Sequence, residues 1–275
     1  MLRVGKITYA NCTPIFDGLE RMELPDVEIV TGVPSELNLA LAQGVIDLCI
    51  SSSIEYPRHA EEYLILPDFC IGSDGPVWSV LLVSTLPLSE LEGTTIFVTS
   101  ESATSVIMLQ ILLTRFVGLK KVTVVPTHQK LTEALTNAPA VLLIGDQALQ
   151  AYLAPPAGVV IHDLGELWRT YTGLPFVYAL WLVQRKSIQQ KKEALDRFAH
   201  TLDLVHCEMD ARAEEVSEAA LERCWIEPHQ LVSYWTTAIQ YGMSERHMAG
   251  LSCFYRHAYE LGFISSLPNL NFYRQ

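Results

Sequence analysis

The stretch "GVPSELNLALAQGVIDLCISSSIEY", residues 32 to 56, carries a helix, a tight turn, a strand and a polar loop in immediate succession. Pro34 and Ser35 open the helix, Glu36 sits in its first turn and Gly44 stands just past its end, which is good punctuation for a helix from Ser35 to Gln43. The apolar run Asp47 to Ile50 then reads as a strand, and it empties into Ser51, Ser52 and Ser53. Working outward, strands are expected near Arg3 to Ile7 and Val27 to Val30. Short apolar runs alternating with helical patterns are the signature of an α/β fold with a mainly parallel sheet.

A second series of the same kind follows. It predicts a strand from Thr94 to Val98, a helix to about Gly118, a strand from Lys121 to Val125 and a helix from His128. A strand from Ala140 to Ile144, a helix from Asp146 and a strand from Val159 to Ile161 complete it. "FVYALWLVQR" (176 to 185) is an unbroken apolar strand, after which the pattern is almost entirely helical. The expected architecture is therefore two α/β lobes, with the helical C-terminal region returning to the first. Residues 1–86 and 180–275 would form one lobe and 87–179 the other. A chain that crosses twice between lobes leaves a cleft that can close on a ligand by hinge motion.

Composition restricts what that ligand can be. The 275 residues are 49% apolar, enough for large cores, and carry 31 acidic against 19 basic side chains, a formal charge of -12. Nucleic acid and anionic membrane are bound through clustered Lys and Arg, so neither is expected as a partner. Six cysteines without a CxxC spacing read as buried free thiols and point to a reducing cytoplasm. The first residues read as a strand and not as a leader peptide, and no segment offers the roughly 20 uninterrupted apolar residues of a membrane span.

In open α/β sheets, ligands bind at the C-terminal ends of strands. Here those loops are rich in neutral donors: Asn11 in "TYANCTPIF", Ser51, Ser52 and Ser53 in "ISSSIEY", and Ser102, Thr104 and Ser105 in "VTSESATSV". Gly145 and Asp146 follow in "LLIGDQAL". An anion sits well at a helix N-terminus, where backbone N–H groups lack intrahelical partners. Each residue also has a plainer reading: Asn11 and Asp146 can cap helices, the serine run can form a turn, and the Ser102 group can do both. The eight histidines show no metal-ligand spacing, and no Walker loop, GxGxxG or GxSxG occurs. No cofactor is expected.

Taken in order, "NCTPI", "GVPSELNLALAQGVIDLCISSSIEY", "GPVWSVLLVS", "SESATSV", "LLIGDQAL" and "DLGELWRTYTGLPFVYALW" resemble the chorismate dehydratase family, the first enzymes of the futalosine route to menaquinone. The resemblance spans residues 1 to about 185. It implies a two-lobed fold like that of type II periplasmic binding proteins and a lyase converting chorismate, a dianion, to 3-[(1-carboxyvinyl)oxy]benzoate. It further implies that Asn11 places the substrate's own enolpyruvyl carboxylate as the base. Ser52 would contact a carboxylate, and Thr104 with Ser105 would cradle an anion. Ser51, Ser53 and Ser102 are secondary candidates, and Gly145 would admit substrate to the backbone beside Asp146. The paralogous 1,4-dihydroxy-6-naphthoate synthases carry a histidine in their counterpart of "LLIGDQAL", where this chain has Gly145 and Asp146. A non-catalytic small-anion binding protein would want a leader or lipidation cysteine near the N-terminus.

Overall fold

The computed structural model describes residues 1–274 and contains two sheets flanked by helices. The first half of the first lobe runs β1 (Leu2–Ile7), α1 (Thr13–Arg21), β2 (Val27–Gly32), α2 (Pro34–Ala42), β3 (Leu48–Ser52), α3 (Glu55–Arg58) and β4 (Tyr63–Ser73). The second lobe follows with β5 (Val80–Ser84), β6 (Thr95–Val98), α4 (Ala103–Ile111), β7 (Thr123–Pro126), α5 (Leu131–Asn137), β8 (Ala140–Ile144), α6 (Gly145–Leu153), β9 (Val160–Asp163) and α7 (Leu164–Thr172). The chain then returns through β10 (Phe176–Gln184), α8 (Arg185–Ala219), α9 (Pro228–Ser233), β11 (Gln240–Gly242) and α10 (Glu245–Glu260).

Spatial order in the first sheet is β11-β4-β10-β3-β1-β2, and in the second β7-β6-β8-β5-β9. The strands within each series are parallel: β1 with β2 and β3, β6 with β7 and β8. The sheets are nevertheless mixed, because β10 runs antiparallel to β3 and β4, and β5 antiparallel to β8 and β9. This departs from a mainly parallel sheet for a geometric reason. A strand arriving from the other lobe enters at the cleft end of the sheet, so it points opposite to strands whose C-terminal ends face the cleft.

The same strands move the division of the chain. β5 belongs to the second sheet, so the first crossing lies between Ser73 and Val80, a strand earlier than a boundary at residue 86. Every residue of β5 and of β10 is buried. An all-apolar strand announces burial on both faces without naming the sheet that buries it. Leu82 packs in a core continuous with the first lobe, whereas Leu81 and Val83 face a smaller core with Val141, Leu143, Ala148 and Ala151.

Helical expectations hold for α2 within one residue at either end, and the helix expected from His128 begins at Leu131. The tail packs on the first lobe: α8 lies so close to α1 that a Cβ on Gly18 would come within 2.5 Å of Val205. All six cysteines are free, with Cys12, Cys49 and Cys70 buried. Cys207 and Cys224 are exposed, against expectation, since they fall on the outer side of helical segments. Among the described residues no helix is long and apolar enough to cross a membrane.

The first crossing is held by one carboxylate. Asp163 caps α7, accepting from the N–H groups of Gly165 at 2.9 Å and Glu166 at 3.1 Å. It also reaches back to the N–H groups of Val77 (2.9 Å) and Trp78 (2.7 Å), where Trp78 adopts a φ of 64°. Replacing it strands buried donors at both ends of this contact. Asp163→Ala should lower stability by about 2–4 kcal/mol, read as a lower urea midpoint at unchanged m-value. An unchanged midpoint would refute the role.

Candidate functional site

The C-terminal ends of β1 and β3, the crossing before β5 and the start of α4 converge on a cleft of about 70 Å³. Asn11, Ser52, Ser102, Ser105 and Gly145 line it. Five of the nine residues singled out from the sequence thus face one hollow from both lobes.

Asn11 is fixed through its backbone. The Trp235 indole N–H donates to the Ala10 carbonyl at 2.7 Å, and the Tyr241 hydroxyl donates to the Asn11 carbonyl at 2.8 Å. Both aromatic residues belong to the C-terminal region. With the main chain so held, the side-chain Oδ1 of Asn11 is sealed from water and has no hydrogen-bond partner. An orphaned buried carbonyl costs about 1–3 kcal/mol, a penalty that a ligand donor or a bridging water can remove.

Ser102 and Ser105 form the rim of α4. Ser102 caps the helix, its Oγ accepting from the Ser105 N–H at 3.2 Å, and its hydroxyl donates to Ser105 Oγ at 2.9 Å. The capping reading and the cleft reading are therefore both true of Ser102. Alternation along β3 separates the three serines: Ser52 faces the cleft, while the Ser51 hydroxyl turns to Asn38 on α2.

Ser53, Thr104 and Asp146 have other employment. Thr104 is fully buried, accepting from the Ile54 N–H at 3.1 Å with Ser53 Oγ 3.4 Å away, so it ties α4 to the end of β3 and does not line the cleft. Ser53 is built in by its main chain, donating to Tyr178 and accepting from the Tyr255 hydroxyl. Asp146 Oδ1 accepts the Ala10 N–H at 2.9 Å across the lobes. Burial raises its carboxyl to about 6, opposed by the Ala10 hydrogen bond and helped by the nearby Glu222 carboxylate.

Gly145 lines the cleft, and the space a side chain would need there is taken by Tyr9. The glycine φ is 57°, and a Cβ there would come within 2.9 Å of the Tyr9 ring. Tyr9 lies across it and donates its hydroxyl to Glu101 on the second lobe.

Three lining residues, Tyr9, Ser79 and Tyr178, were assigned no role in the sequence. The Ser79 hydroxyl accepts from the Tyr234 hydroxyl at 2.7 Å, which leaves its own proton held only by the Val77 carbonyl at 3.4 Å. Burial pushes the phenols of Tyr9 and Tyr178 well above their ordinary range, so both stay protonated at neutral pH. No local pattern marks these residues; Ser79 immediately precedes a buried strand and Tyr178 sits inside one. Among the described residues no group of acidic, histidine or cysteine side chains could hold a metal ion.

Comparison with known proteins adds a decisive observation. A family model described as menaquinone biosynthesis matches residues 2–260, and a chorismate dehydratase of Thermus thermophilus is 32% identical over 268 residues, 91% of this chain and 93% of that one. The chain belongs to the chorismate dehydratase family. A chorismate dehydratase of Campylobacter jejuni is 31% identical over 203 residues, covering 72% of this chain and 74% of that protein. Among solved structures, a protein of Archaeoglobus fulgidus superposes with a TM-score of 0.78 at 18% identity, covering 96% of this chain and 98% of the other. The periplasmic aliphatic sulphonate binding protein of Escherichia coli gives 0.70 at 16%, covering 99% and 92%. At those identities they share the fold alone: the two-lobed architecture of periplasmic binding proteins.

The contact at Gly145 gives a direct test. Gly145→Ala combines a left-handed backbone with overpacking against Tyr9, together about 2–4 kcal/mol. Its melting temperature should fall by several degrees, and a thermal melt identical to the parent protein would dismiss the contact.

Proposed function

We propose that the protein dehydrates chorismate to 3-[(1-carboxyvinyl)oxy]benzoate, with the substrate supplying the base and the cleft supplying placement and neutral donors. The observation that carries the mechanism is the lining itself: an asparagine with an orphaned oxygen, four serine hydroxyls, and no carboxylate or imidazole among the described lining residues. The titratable groups that do line it, Tyr9 and Tyr178, are held protonated and cannot abstract a proton.

The chemistry asks for little more. Transfer of the proton from the ring carbon bearing the enolpyruvyl ether to the enolpyruvyl carboxylate leaves a carbanion delocalised into the ring carboxylate. The neighbouring hydroxyl then departs, taking up a proton to leave as water, and the ring becomes aromatic. Charge grows on the ring carboxylate, so donors aimed there lower the barrier more than they stabilise the bound substrate. Ser102 and Ser105 at the N-terminus of α4, with Ser52 and Ser79, line the cleft and would donate to the two carboxylates. Asn11 would orient the enolpyruvyl arm, which must be kept from the folded geometry of Claisen rearrangement.

The test is incubation of the pure protein with chorismate, following loss of diene absorbance together with loss of one water by mass. Recovery of unchanged chorismate, or only of prephenate and its products, would reject the proposal. Asn11→Ala should keep the melting temperature while lowering turnover by roughly 10²–10³-fold, measured as kcat. Near-parental turnover would remove Asn11 from its role.

A further inference from the structure

Asp146 presents an electrostatic contradiction if the cleft receives a dianion. It stands one residue from the cleft-lining Gly145, forms none of the ion pairs of the described residues, and has neutral and acidic groups about it. These are Tyr9 and Cys12 of the loop after β1, Tyr234 of the turn after α9, and Glu222 of the turn after α8, which itself accepts from the Thr13 hydroxyl. An ordinary anion-binding site would not keep a carboxylate there.

Its one strong contact resolves the contradiction. The loop carrying Asn11 offers three main-chain groups that are held: the Ala10 and Asn11 carbonyls are gripped by Trp235 and Tyr241 from the first lobe, and the Ala10 N–H is gripped by Asp146 from the second. All three coexist in this structure, and only the last of them joins the two lobes. Gly145 lets them meet this closely, since any side chain there would strike Tyr9. We propose that Asp146 is a positioning residue, whose acceptor oxygen sets the Ala10–Asn11 backbone on closure and so brings Asn11 to its working geometry. This rests on the dehydratase reading for its kinetic consequence but not for the contact itself.

A neutral acid keeps a carbonyl oxygen for the Ala10 N–H while adding no negative charge beside the ligand. Burial favours that form, raising the carboxyl from its ordinary 3.8 to about 6. The sign follows: protonation favours the closed form, so its contribution is complete below about 3.8 and is lost as pH rises through about 6.

The experiment compares Asp146→Ala and Asp146→Asn with the parent protein. Asp146→Ala should lower kcat roughly 10²-fold with a smaller change in KM, while Asp146→Asn, neutral and still an acceptor, should recover most of it. In the parent protein kcat/KM for chorismate should fall as pH rises through about 6, and in Asp146→Asn that fall should vanish. Hydrogen exchange over residues 8–13 is read in parallel without substrate: Asp146→Ala should speed exchange at the Ala10 amide by at least about tenfold and Asp146→Asn should not. A parental kcat in Asp146→Ala, an asparagine variant as slow as the alanine one, or an unchanged pH profile would overturn the proposal. If the parent protein leaves chorismate intact, the dehydratase reading fails on its own, and the exchange result alone then upholds or rejects the contact.

Discussion

A carbonyl oxygen sealed from water with nothing to bond to is the constraint around which this molecule is arranged. Asn11 Oδ1 is in that condition, and a relaxed loop would swing it out to solvent. It stays because Trp235 and Tyr241, more than two hundred residues later in the chain, hold the main chain of Ala10 and Asn11 from behind. The helical tail is thus part of the site without touching the cleft at those residues. It packs on α1 through Gly18 and Val205.

The acidity of the chain and the anionic substrate are compatible because the charges are kept apart. Most of its ion pairs are exposed and contribute little energy. The buried wall uses hydroxyls, an amide and a helix terminus, which stabilise an anion without the long, mobile side chains that basic residues would bring. Where carboxylates do approach, at Glu101 and Asp146, each is bonded to a donor of the opposite lobe: the Tyr9 hydroxyl and the Ala10 N–H. Those acids join the lobes. A core continuous through both lobes and a crossing pinned by Asp163 leave the two halves few ways to meet.

Much of the scaffold was legible in the sequence. The punctuation of Pro34, Glu36 and Gly44 located α2, and the apolar runs of β8 and β10 located those strands, because helix capping and strand burial are local matters. The donor-rich loops were equally visible, and Asn11, Ser52, Ser102 and Ser105 do line one cleft. Sheet membership of β5 was hidden, since apolar alternation is erased when both faces are buried. Tyr9, Ser79 and Tyr178 were hidden for a related reason: their roles depend on partners in distant segments.

The sequence by itself determined which segments become strands and helices, that loops rich in neutral donors end several strands, and which family the chain resembles. Tertiary structure decided how those donors are used. It set Ser52 at the cleft and turned Ser51 away, spent Thr104 on Ile54, and lent Asp146 to Ala10. The physical reason is that a hydroxyl or carboxylate carries the same chemistry in every loop. What it serves is fixed by the nearest unsatisfied group, and in a chain that crosses twice between lobes that group can lie far away in sequence.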